Sequence, residues 1–159
     1  MLRIGKLTDY ATVLLAALAG EPDRQQTATE LAERTGVASP TVSKLLKQLQ
    51  RAGLVLSSRG LHGGYRLARP AAQISAAAIL EALEGPPRLT DCAGSDHDRC
   101  DLEATCRVGS AWQRLNRAIH QSLQDVTLSD LAGLETSTTR YAAFEVRLRN
   151  GMNAGARRP

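Results

Sequence analysis

The sequence predicts a mainly α fold, a winged helix-turn-helix whose two-stranded wing is followed by a long C-terminal helix. Three observations carry this. Aromatic residues make up only 3% of the 159-residue chain, while Ala and Leu abound, which favours helices around an aliphatic core over a large sheet. Two helix-start signals stand twelve residues apart, Thr27-Ala28-Thr29-Glu30 and Ser39-Pro40, separated by the turn Gly36-Val37-Ala38. Two short β-prone runs then flank the tip Arg59-Gly60-Leu61-His62-Gly63-Gly64.

In chain order, Thr8 or Asp9 is the expected cap of a first helix running to about Ala19, with Val13, Leu14, Ala17 and Leu18 on its apolar face and Gly20 at its end. After the loop Glu21-Pro22-Asp23, a capping box at Thr27 starts a second helix that buries Leu31 and Ala32 and stops at Gly36. Ser39 is the expected N-cap of a third helix, because Pro40 suits the first helical position, where an N–H is not needed. Its Val42, Leu45, Leu46 and Leu49 repeat at i, i+3, i+4 and i+7 and leave Thr41, Ser43, Lys44, Lys47, Gln48 and Arg51 outward.

Gly53 closes that helix, and Leu54-Val55-Leu56-Ser57-Ser58 with Tyr65-Arg66-Leu67-Ala68 form a hairpin. Ser75 caps a fourth helix that ends at Glu84 before Gly85-Pro86-Pro87. From about Val108 to Leu123 an amphipathic helix carries Ala111, Trp112, Leu115, Ala118, Ile119 and Leu123, with Trp112 a packing anchor rather than a chemical group. A second capping box, Thr127-Leu128-Ser129-Asp130, opens a short helix to about Leu134. Residues 135–159, rich first in Thr and then in Gly, Asn and Arg, read as a flexible basic tail with a brief helical piece around Tyr141 to Leu148.

The net charge of +4 matters less than its distribution. Residues 1–70 carry ten Lys/Arg and five Asp/Glu (+5), residues 71–134 five and nine (−4), and residues 135–159 five and two (+3). The basic N-terminal part is therefore the candidate face for double-stranded DNA. A helix fits the major groove, and the preceding helix and turn set its angle of insertion. Ser39, Thr41, Ser43, Lys44, Lys47, Gln48 and Arg51 are the expected contacts from the helix, with Gln48 suited to adenine. Arg59 and His62 on the wing are placed for the backbone or the minor groove.

Cys92, Cys100 and Cys106, spaced C-x7-C-x5-C, lie among Asp91, Asp96, His97, Asp98, Asp101 and Glu103. No regular helix aligns three thiols at that spacing, so a loop folded around a metal is expected; soft thiolates select zinc, copper(I) or an iron-sulfur cluster. The odd count argues against a disulfide framework. No membrane span and no signal-peptide pattern is visible, so a cytoplasmic location is expected. An enzyme is disfavoured, since there is no phosphate loop, no nucleophile-base pair and no C-x-x-C motif.

Taken together, Lys6-Leu7-Thr8-Asp9-Tyr10-Ala11, Leu31-Ala32-Glu33-Arg34-Thr35-Gly36-Val37, Gly53-Leu54-Val55, Arg59-Gly60-Leu61-His62-Gly63-Gly64-Tyr65-Arg66-Leu67 and Ile79-Leu80-Glu81-Ala82-Leu83-Glu84-Gly85, followed by the three cysteines, resemble the IscR-type winged-helix regulators of iron-sulfur cluster biogenesis. The likeness spans roughly residues 1–134 and is nearest to the regulators of SUF assembly operons. It implies a homodimer on two-fold DNA sites, a 2Fe-2S cluster on Cys92, Cys100 and Cys106, and a long C-terminal dimerisation helix. The family's histidine three positions after the last cysteine is replaced here by Gly109, so the fourth ligand is open among Asp9, His97 and Glu103; His120, on the long helix, is set aside.

The expected organisation is a winged helix-turn-helix DNA-binding domain (1–84), a cluster-binding loop (85–107), a dimerisation helix with a short capping helix (108–134) and a basic tail (135–159). Two other functions fit parts of the pattern: a nitric oxide-, redox- or zinc-sensing regulator of the same fold, and a winged-helix protein-interaction module. Metal analysis separates the first. Indifference of DNA affinity to Lys47 and Arg59 would mark the second.

Overall fold

Helix α1 (Lys6–Ala19) is the element on which α2 (Ala28–Thr35), α3 (Ser39–Arg51), α4 (Ala76–Glu84), α6 (Leu128–Leu131) and strand β2 (Gly64–Leu67) all pack. In this computed structural model, residues 4–60, 63–86, 89 and 108–134 are described. α1 buries Thr8, Ala11, Leu14, Leu15, Leu18 and Ala19. The expected face is thus rotated: Val13 is 42% exposed, while Leu15 is fully buried. At 100° per residue the stripe through Ala11, Leu14, Leu15 and Leu18 leaves Val13 on the far side.

The expected cap is also corrected. Gly5, not Thr8 or Asp9, is the N-cap of α1, and it offers no side chain. The capping group comes from across the fold, where the Glu84 carboxylate accepts the Gly5 N–H at 2.9 Å and the hydroxyl of Thr8. An anion at this end also suits the helix dipole.

Thr27 caps α2 as expected: its hydroxyl accepts the Glu30 N–H at 3.2 Å, and the Glu30 carboxylate accepts the Thr27 N–H at 2.7 Å. Gly36 ends the helix at φ +71, a left-handed conformation that glycine adopts without strain. Ser39 is not the N-cap of α3 but its first helical residue. Val37, 7% exposed, anchors the turn in the core, so Ala38 becomes the last extended residue and its carbonyl accepts the Thr41 and Val42 N–H groups. Val42, Leu45, Leu46 and Leu49 are all buried. Burial of a leucine contributes about 1.5 to 3 kcal/mol, so this stripe is what fixes α3 against α1 and α2. The helix closes in a Schellman motif: Leu54 N–H bonds the Leu49 carbonyl and Gly53 N–H that of Gln50, with Gly53 at φ +70.

Strands β1 (Val55–Ser58) and β2 pair antiparallel in the register Val55–Leu67, Leu56–Arg66, Ser57–Tyr65 and Ser58–Gly64. Val55 and Leu67 face the core, whereas Leu56 and Arg66 face outward. A 3₁₀ turn at Ala71–Gln73, not expected from sequence, delivers Ile74 to the core. Ser75 caps α4 as expected, accepting the Ala78 N–H at 3.2 Å.

α5 (Gly109–Asp125) forms where the amphipathic pattern predicts a helix, two residues longer at its C-terminus, and packs on α4. It buries none of its residues; Trp112 is 42% and Leu115 45% exposed. α6 carries the second capping box, with Asp130 N–H on the Thr127 hydroxyl, but stops at Leu131 instead of Leu134 because Gly133, at φ +64, closes it in another Schellman pair. Its Leu128 is fully buried in the same core as α1 and α3, and Leu128 N–H bonds the Ile74 carbonyl at 2.7 Å. The cysteine segment, the expected basic tail and the helical piece at Tyr141 lie outside the described residues. Among the described residues no helix is long and apolar enough to cross a membrane.

Candidate nucleic-acid interface

The basic groups of residues 4–70 divide into two kinds. Arg24 and Arg34 are held by carboxylates: Arg24 bonds Glu21 at 3.0 Å and Glu30 at 2.6 Å, while Arg34 bonds Glu21 and, at 2.9 Å, the side-chain oxygen of Gln26. Hydrogen bonding from Arg24 holds the Glu21 carboxyl below the usual range. The Thr27 backbone N–H, more than any other group, does the same for Glu30. Gln26, only 1% exposed, is satisfied at its other end by the Ala17 carbonyl. This network fixes the loop before α2 to α1 and leaves its arginines no free charge.

Lys44, Lys47, Arg51 and Arg59 are different. All four are exposed, and none forms an ion pair with another described residue. Ser39 is exposed at the start of α3, whereas Thr41, Ser43 and Gln48 are half-buried along its edge rather than fully outward. Seven of the sequence-derived contacts thus lie on or beside the solvent face of one helix, opposite its leucine stripe. Arg59 stands at the wing, and His62 falls outside the described residues. Arg66 is exposed on β2 and Arg69 just after it; both are absent from the sequence-derived candidates. Alternation along β2, with Leu67 inward, was the signal for Arg66.

The wing is held at its base by more than its own hairpin. Gln26 and Tyr65 exchange both backbone hydrogen bonds, at 3.0 and 2.8 Å, so the segment before α2 adds a one-residue third strand to β2. The Ser58 hydroxyl donates to the side-chain oxygen of Gln25. Two glycines make the approach possible: a Cβ on Gly63 would come within 2.5 Å of the Ser58 carbonyl oxygen, and one on Gly64 within 2.8 Å of the Gln26 carbonyl oxygen. This explains the paired glycines at this point of the wing.

Cys92, Cys100, Cys106, His97 and Glu103 lie outside the described residues. Among the described residues, no three His, Cys, Asp or Glu side chains gather as a metal site. Asp9 is described: it is exposed in the first turn of α1, and its carboxylate bonds no other described residue. Glu84, the last residue of α4 and eight positions before Cys92 in sequence, is bonded to Gly5 and Thr8 at that same turn. Further along, the Leu89 N–H donates to the Asn116 side chain on α5 at 3.3 Å. His120, set aside in the sequence, stands on α5 with Nδ1 3.8 Å from Glu81 of α4.

Comparison with known proteins agrees with this arrangement. Residues 4–133 match the family model Rrf2, described as iron-dependent transcriptional regulator. Protein aau3 of Rhizobium meliloti (strain 1021) is 32% identical over 130 residues, which cover 82% of this chain and 84% of that protein. Among solved structures, B. subtilis CymR (YrzC), the global cysteine regulator, is 28% identical with a TM-score of 0.64, covering 85% of this chain and 99% of that one. T. potens IscR is 28% identical with a TM-score of 0.61, covering 87% and 92%. With 130 of its residues accounted for by one family model, and its helices and paired strands in the same arrangement, the chain belongs to the Rrf2 family of transcriptional regulators.

Proposed function

We propose that this regulator is a homodimer that senses iron-sulfur status through a 2Fe-2S cluster on Cys92, Cys100 and Cys106 and controls SUF-type cluster-assembly genes. The observation that carries the reading is that one chain joins a helix whose Lys44, Lys47 and Arg51 are exposed and in no ion pair among the described residues to three cysteines that follow, in sequence, a residue bonded to the first turn of α1. Rrf2 regulators bind DNA and are often dimeric. In this reading Ser39, Thr41, Ser43, Lys44, Lys47, Gln48 and Arg51 meet the major groove, and Arg59 and His62 meet the backbone or minor groove.

The donor set fits such a cluster. Three thiolates leave a two-iron centre one ligand short, and a carboxylate is a hard, exchangeable fourth donor. Asp9 is the favoured fourth ligand, because its carboxylate bonds no other described residue and stands in the turn held by Glu84; His97 and Glu103 are the alternatives. When bound, the cluster supplies a centre whose loss or oxidation changes the charge held by these residues. The exposed apolar stripe of α5, with Trp112 and Leu115, is the face for the second copy, which would set the spacing of the two α3 helices on DNA.

The test is an anaerobic absorption spectrum with iron and sulfide analysis, repeated for C92S, C100S, C106S and D9A, beside DNA binding of loaded and stripped protein at fixed salt. Charge-transfer bands with equal iron and sulfide, lost in the cysteine variants, together with a changed affinity on loading, are expected. Equal affinity of the loaded and stripped protein removes the switch. A second reading, a thiol-based regulator without a cluster, is favoured by the likeness to CymR, the cysteine regulator, and predicts a colourless protein whose DNA affinity follows thiol oxidation.

A further inference from the structure

We propose that Glu84 is a latch that carries the state of the cysteine segment into α1 and thereby into the DNA-reading helix; the inference rests on reading residues 92–106 as the sensor. Glu84 is the last residue of α4 and stands eight positions before Cys92. Its carboxylate replaces the side-chain cap that α1 lacks, accepting the Gly5 N–H at 2.9 Å and the hydroxyl of Thr8. Thr8 is only 2% exposed, so this contact reaches into the interface between α1 and the rest of the core.

The fit is close at Gly5: a Cβ there would stand 2.7 Å from the same Glu84 carboxylate oxygen, so a side chain at position 5 makes the end of the flexible Glu84 side chain shift. Gly85, at φ +82, ends α4 directly after Glu84, and Cys92 follows seven positions later in sequence. Between the cysteines and Glu84 the Leu89 N–H is tied to Asn116 of α5 at 3.3 Å, so a rearrangement of that segment passed on beyond Leu89 reaches a side chain that ends on α1. α1 packs directly on α3, so a displacement of its first turn is felt by the helix that carries Lys44, Lys47 and Arg51. Glu84 acts through α1 and not on DNA, which makes it a positioning residue.

The test is hydrogen-deuterium exchange of the full chain, following the backbone of residues 5–12 in wild type, E84A, G5A and, as a control on the same helix, E81A. In metal-free protein, loss of a charge-assisted hydrogen bond speeds exchange of this stretch about tenfold in E84A, by less in G5A, where the carboxylate only shifts, and leaves E81A at the wild-type rate. Equal exchange in E84A and wild type overturns the latch.

Loading with ferrous iron and sulfide then changes exchange at residues 5–12 in wild type and leaves E84A unchanged. If loaded E84A responds as wild type does, the latch transmits nothing, although the cluster reading stands. If wild type takes up no iron and sulfide, the cluster reading falls instead. The same comparison with the thiols alkylated by N-ethylmaleimide then decides the latch: a response lost in E84A supports it, and a response retained there overturns it.

Discussion

A β-carbon on Gly64 would stand 2.8 Å from the carbonyl oxygen of Gln26, inside the closest approach of unbonded carbon and oxygen. The atoms it would strike are backbone, and Gln26 is itself held by Tyr65, Ala17 and Arg34, so neither side can yield cheaply. Gly64→Ala is expected to cost about 1 to 3 kcal/mol through overpacking and to loosen the wing. Urea unfolding followed by circular dichroism measures the first effect and DNA affinity the second. An unchanged midpoint would show that the bridge between Gln26 and Tyr65 gives way freely.

The recognition face yields a prediction about salt. Lys44, Lys47, Arg51 and Arg59 are exposed and unpaired among the described residues, so their replacement by alanine should leave folding stability within about 0.5 kcal/mol. Each phosphate contact removed lowers the slope of log K against log salt by about 1. Fluorescence anisotropy with duplex DNA across a potassium chloride series reads this directly. Arg24→Ala, whose charge is already held by Glu21 and Glu30, should leave the slope unchanged.

Acid stability should track two glutamates. The carboxyl of Glu21 is held below its ordinary value of 4.5, chiefly by the Arg24 hydrogen bond, and that of Glu30 chiefly by the Thr27 backbone N–H. For a depressed folded pKa the contribution is complete above the unfolded value and is lost as pH falls through the folded one. Stability is therefore expected to hold on descent to about pH 5 and to decline below 4.5, with less decline in E30Q and E21Q. Urea midpoints over that range check it; identical acid limbs in wild type and variants would refute the assignment.

The apolar stripe of α5 gives a prediction about assembly. Trp112 and Leu115 are 42% and 45% exposed, and α5 buries no residue of its own. The double variant W112E/L115E should thus keep its helical content and sediment as a monomer, with weaker binding to a two-fold DNA site. A variant that remains dimeric would place the contact elsewhere.

Much of the reader was legible because its signals are local. The capping boxes at Thr27 and Thr127, the Ser75 cap and the leucine stripe of α3 each lie within a turn or two of sequence, and each stands where it was expected. The errors come from contacts that sequence spacing does not show. Thr8 and Asp9 looked like caps because the true capping group, Glu84, is 79 residues from Gly5. Ser39 looked like a cap because nothing local shows that Val37 is pinned in the core. Leu128 gave no sign that it returns to the core beside Ile74, since a four-residue helix has too short a period to announce a face. For the site, pattern alone named the exposed lysines but overstated the exposure of Thr41, Ser43 and Gln48, which lie at the edge of the buried stripe.

The paired backbone bonds between Gln26 and Tyr65 join the wing to the very segment that introduces the helix-turn-helix. On the proposed reading, with α3 in the major groove and the wing at the backbone or minor groove, this tie makes the two act as one gauge laid along the duplex. At about 10.5 base pairs per turn, one extra pair between the stretch read in the major groove and the step met by the wing rotates the second point by about 34° around the axis. A gauge tied in this way follows that rotation poorly, so on this reading operators are expected to be constrained in the spacing between those two features as well as in their bases.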